Sequence, residues 1–89
     1  MKLNVSFKLV QMEDRLFALP AEGIKEGGPP AFAVNETAAR LLHLLHEETS
    51  FEAALDVLEA EYDVERAQLS NDMRDFVSAL DDLGLLDNT

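Results

Sequence analysis

Between Ala31 and Leu42 the spacing of apolar residues changes from two to three or four. That change constrains the fold more than any other feature of the chain. A period of two marks a half-buried strand, and steps of three and four mark the buried stripe of a helix. Phe32 and Val34 alternate with Ala31 and Ala33 directly after Pro29 and Pro30, and Ala38, Leu41, Leu42 and Leu45 then share one helical face. Asn35 stands at the junction, where its short side chain can cap a first turn. A short strand behind two prolines is expected at the edge of a sheet, because proline gives a ladder no N–H. A sheet therefore ends here and a helical layer begins.

Upstream, Val5, Phe7 and Leu9 alternate with Ser6 and Lys8. Val10 and Met12 continue in the opposite phase, which predicts a bulge or bend near Leu9 and Val10. Glu13 and Asp14 form a tight turn, and Arg15 to Leu19 return as a second strand. The glycines and prolines of residues 21–30 make that stretch a loop. Downstream, Thr49-Ser50-Phe51-Glu52 reads as a capping box with Thr49 at the cap. The second helix carries Phe51, Ala54, Leu55, Leu58 and Tyr62 on one stripe. A third, from about Glu65 to Leu83, carries Leu69, Met73, Phe76, Val77, Leu80 and Leu83. Gly84 suits the position after a helix end, and Leu85 and Leu86 fold back. Phe76 sits mid-stripe, so Phe76→Ala is expected to cost about 3–5 kcal/mol. Three strands followed by three helices predict one α+β domain over residues 1–89. It is a small winged-helix-like unit, a three-stranded antiparallel sheet covered by helices.

Charge narrows the function. The net charge is −11; residues 1–34 hold four bases and four acids, and the remainder three bases and fourteen acids. Nucleic-acid binders cluster Lys and Arg against phosphates, so DNA and RNA are not expected partners. There is no cysteine, and no apolar run of membrane-spanning or signal-peptide character, which together suggest a cytoplasmic protein. His43 and His46, next to Glu47 and Glu48, read as two surface histidines, since a metal needs three or four converging ligands. Asn35-Glu36-Thr37 matches a glycosylation sequon but reads as a helix cap. The acids of the last two helices interleave with apolar positions and form a solvated face, not a carboxylate pair in a pocket. No phosphate loop or nucleophile–base arrangement stands out. The expectation is a non-enzyme without cofactor or metal.

Protein recognition remains. An edge strand offers unpaired N–H and C=O groups to an extended peptide, and a third helix alongside would wall a groove. The Gly-Pro loop could equally cap that edge, and the pattern alone does not choose.

Val34-Asn35-Glu36-Thr37-Ala38-Ala39 with Leu41-Leu42 resembles the LNxTA signature at the strand–helix junction of PqqD-like proteins. Thr49 to Ala54, then Glu61-Tyr62-Asp63-Val64, are similar to the family's second helix and following turn. Asp72, Phe76, Leu80 and Gly84-Leu85-Leu86 are similar to its last helix and tail. The resemblance spans residues 5–87. It implies a winged-helix recognition element that binds the leader of a ribosomally made precursor peptide as an added strand. The element then presents that peptide to a modifying enzyme, a radical SAM enzyme in the PqqD case. Carried over, the edge is Ala31, Phe32, Ala33 and Val34, and the helix wall draws on Arg66, Leu69, Asp72, Met73 and Phe76. The loop of residues 21–30 is longer than is usual in PqqD, and Val34 stands where Leu is commoner, which leaves the product pathway open. A homodimer through strand edges is a further expectation. The alternatives are a winged-helix interaction module of a regulatory or kinase-linked assembly, and an acidic transcription factor that reaches DNA through a partner.

Overall fold

The structure, a computed structural model, describes residues 1–87. Five strands and three helices follow in the order β1 (Lys2–Leu3), β2 (Phe7–Met12), β3 (Arg15–Pro20), β4 (Phe32–Val34), α1 (Glu36–Leu44), α2 (Phe51–Glu61), α3 (Arg66–Asp82) and β5 (Leu86–Asp87). The antiparallel sheet β2-β3-β4 is the one expected, and the helices lie against one of its faces. That face brings Phe7, Ala18, Phe32 and Val34 onto Leu41, Leu42 and Leu45 of the first helical segment, Leu55 and Leu58 of α2, and Leu69, Met73 and Leu80 of α3. Burying the Leu, Phe and Met side chains among these, worth about 1.5–3 kcal/mol gross for each that is fully covered, is what orders helices this short.

The junction behaves as its residues dictate. The Asn35 side chain accepts from the Ala38 N–H at 2.8 Å, and the Thr37 hydroxyl donates to the same oxygen at 3.0 Å. Gly84, at φ 73°, ends α3 in the left-handed conformation that glycine adopts without strain. Glu13 takes φ 59° in the β2–β3 turn.

Several expectations need correction. The cap of α2 is Ser50, which accepts from the Ala53 N–H at 3.1 Å. Thr49 instead donates its N–H to the Met1 carbonyl, and its own carbonyl accepts from the Met1 amino group at 2.6 Å. These contacts hold Thr49 outside the helix, and Glu52 closes no box but turns to Arg66. No bulge interrupts β2, which pairs with β3 without a break from Phe7↔Pro20 to Met12↔Arg15. Val10 and Met12 change phase because the outer sheet face is also apolar. In α1 the buried alanine is Ala39 and not Ala38, and Leu83 of the α3 stripe is 54% exposed. His46 is not a free surface residue: its Nε2 accepts from the Phe7 N–H at 3.4 Å. The chain ends also pair, with Lys2↔Asp87 and Leu3↔Leu86 forming a second, two-stranded sheet.

Candidate functional site

The hydrogen-bond pattern of the sheet decides what β4 offers. The Ala21 N–H donates to the Ser6 carbonyl at 2.8 Å, one step beyond the pair Phe7↔Pro20. Antiparallel pairs alternate between bonded and non-bonded, and Pro20 has no N–H. Phe7↔Pro20 is therefore non-bonded and Val10↔Phe17 bonded. Phe17 turns its backbone toward β2, so Leu16 and Ala18 turn theirs toward Val34 and Phe32 of β4. Ala33, opposite Phe17, points its N–H and C=O away from the sheet. No described strand lies on that side. The open edge thus presents an exposed alanine with both backbone groups outward, while its neighbours Phe32 and Val34 are half-buried on the core.

Helix α3 meets β4 at Phe32. At about 100° per residue, Leu69, Met73 and Leu80 point into the core, and each is 3% exposed or less. Arg66 rotates to one flank and Asp72 and Phe76 to the other. On the second flank the Phe76 ring meets Phe32 at 6.1 Å, and Phe32 meets Phe7 edge-on at 5.5 Å. Thr37 and Ala38 of α1, with Asp72 and Phe76, rim a crevice floored by Leu41, Leu58, Leu69 and Met73. It encloses only about 20 Å³, too little for a buried ligand.

The structure therefore divides the residues named from sequence. Phe32 meets Phe76, and Phe76 shares the crevice rim with Asp72; Ala33 and Val34 follow Phe32 along β4, with Ala31 half-buried just ahead of the strand. Leu69 and Met73 are core side chains beneath the crevice. Arg66 faces α2, reaching Glu52 at 3.2 Å, Asp56 at 3.0 Å and Glu59 at 2.9 Å. Hydrogen bonding to Asp56, then Glu59, raises its pKa further above the ordinary guanidinium value. Phe76 is half-buried, so its truncation costs less than a central core position would. Thr37 and Ala38 were not assigned to a site from sequence; their place in the first turn after the edge strand was the available signal.

The remaining perturbed groups lie away from the edge. Arg40 and Glu61 form a two-pronged pair at 2.8 and 2.9 Å. The hydrogen bond from Arg40 holds the Glu61 carboxyl below its ordinary range and raises the guanidinium. Among the described residues no three His, Cys, Asp or Glu side chains gather as a metal site. No described helix is long and apolar enough to cross a membrane.

The family model for Coenzyme PQQ synthesis protein D (PqqD) matches residues 24–86. The chain belongs to the PqqD family. The match takes in β4, all three helices and Leu86 of β5. A solved structure of TbiB1 in complex with the TbiA(beta) leader peptide is similar over 100% of this chain and 98% of that one, at a TM-score of 0.68 and 28% identity. No curated protein matches the chain. In this PqqD-family domain the second sheet face, with Val10, Met12, Phe17, Leu19 and Ala33, points away from the helices. Met12 there is 57% exposed, and the Arg15 guanidinium lies 5.8 Å from the Phe17 ring.

Proposed function

We propose that the domain is a non-enzymatic adaptor. It takes the leader segment of a ribosomally made precursor peptide as an added strand on β4 and presents it to a modifying enzyme. The observation that carries this reading is the outward N–H and C=O of Ala33 beside the Asp72–Phe76 flank of α3. An extended chain docked there gains backbone hydrogen bonds and lays alternate side chains against Phe32, Val34 and Phe76. Family membership and the likeness to a leader-bound protein support it. Phe32, Val34 and Phe76 supply apolar contact, Ala31 and Ala33 the backbone edge, and Leu69 and Met73 the floor. Arg66 holds α3 to α2 and does not touch the peptide. The uncovered sheet face stays available to the enzyme that receives the peptide, of the radical SAM class where the pathway is PqqD-like. A second copy of the chain pairing edge to edge would form a homodimer that competes with peptide.

The test is a titration with the leader encoded beside this gene, following backbone amide signals. Shifts gathered on Phe32–Val34 and on Asp72 and Phe76 are expected. Saturating peptide with no change there would sink the reading.

A further inference from the structure

We infer that the strand taken by this edge is apolar and cationic: its inward side chains include a Lys or Arg that reaches Asp72. The inference rests on strand addition at β4 and goes beyond it to the chemistry of the ligand.

The chain has seven Lys and Arg residues, and none rims the crevice. Lys2 lies on β1, paired with β5 at the far end of the fold. Lys8 and Arg15 stand on the outer sheet face by strand alternation; Arg15 lies over Phe17 and shares a shallow pocket with Ala33, Val34 and Glu36, not with Asp72. Lys25 is in the loop, 3.6 Å from Glu22. Arg40 is paired with Glu61, and Arg66 with three acids of α2. Arg74 sits over the Phe51 ring at 5.9 Å, on the opposite side of α3. On the Asp72–Phe76 flank of α3 the charged side chains are acids. Asp72 is exposed on the crevice rim, Asp75 is exposed one turn along, and Glu36 opens α1 directly after the edge strand. Neither Asp72 nor Asp75 has a charged partner among the described residues.

A strand added at Ala33 sends every second side chain inward, over the Phe32–Phe76 ring pair. A Lys or Arg there lays its apolar stem on the Phe76 ring and carries its charge out to Asp72. A Glu or Asp there meets like charge with no cation to relieve it. The floor of Leu41, Leu69 and Met73 favours apolar neighbours at the other inward positions. The fitting ligand is thus a peptide alternating apolar and basic residues inward, not an acidic one.

The test is to pan a random peptide library on the intact domain, read the charge of the enriched sequences, and map one binder by amide shifts. Enrichment of Lys and Arg among apolar residues is expected, with Asp and Glu depleted. Reversing the inward base to Glu should weaken binding about tenfold, as the sum of a lost pair and a gained repulsion. Asp72→Lys should weaken the basic peptide and restore the reversed one, a rescue that loss of structure could not produce. Neutral or acidic binders with shifts on Phe32–Val34 would overturn the charge inference and leave strand addition standing. No enrichment, or shifts confined elsewhere, would overturn both.

Discussion

On one flank of α3, Arg66 reaches across to Glu52, Asp56 and Glu59 of α2; on the other, Asp72 and Phe76 rim a crevice with Thr37 and Ala38 of α1, and Phe76 meets Phe32 of β4. Both flanks belong to one helix, a few residues apart, and both are rich in polar groups. What separates them is whether a neighbouring element already answers those groups. The α2 side is closed: its charges are paired and Val77 packs toward the core cluster. Among the described residues, the β4 side leaves the Asp72 carboxylate without a cation, an aromatic ring half covered and a backbone edge without a strand. A polar residue on a helix therefore says little about binding until its neighbours are known.

The sharpest way to break this contrast is at the base of the crevice. Leu69→Ala should destabilise the fold by about 2–5 kcal/mol in a urea melt, since the side chain is 1% exposed. A near-neutral result would mean that Leu69 belongs to the site and not to the core. Ala33→Pro comes next. It removes an N–H that points to the open edge, not to β3, so peptide binding should fall at least about tenfold while the far-ultraviolet circular dichroism stays unchanged. Undiminished affinity would move the site elsewhere. Phe76→Ala should lower stability by about 1–3 kcal/mol, as a half-buried ring does, and weaken binding as well; an effect on stability alone would remove the ring from the site. Arg66→Ala should give a small drop in Tm that shrinks with added salt and leave peptide affinity untouched. A loss of affinity would put Arg66 back in the groove. The smallest effect is in acid. The Glu61 carboxyl titrates below its unfolded value, so the Arg40 pair stabilises above that unfolded value and its contribution fades as pH falls through the folded one. Carboxyl NMR titration should show Glu61 returning to the ordinary range in Arg40→Ala.

Much of this architecture was legible in the chain. Alternation in Phe7 to Leu9 and the Glu13-Asp14 turn marked the hairpin, and the Pro-Pro lead and Asn35 marked the edge strand and the start of α1. The Gly84 terminator marked the end of α3. The misses share a cause. Thr49 and Ser50 are both good caps, and a contact with Met1 chose between them. The β1–β5 pair joins residues from opposite ends of the chain, and two-residue strands carry no periodicity to read. Val10 and Met12 suggested a bulge because an apolar outer face breaks simple alternation as a bulge would. Arg66 and Asp72 looked alike as polar wall residues, since sequence spacing does not say which neighbour each flank of α3 will meet.

By itself, then, the sequence determined the elements, their order and their ends, because caps, turns and periodicity act over a few residues. It also determined the acidic balance that makes nucleic acid an unsuitable partner. Only the tertiary structure decided that Ala33 turns its N–H outward, that no described strand lies beyond β4, and that every cation lies away from the crevice. Those facts depend on register and on packing between distant segments, where a shift of one residue turns each backbone group and side chain the other way.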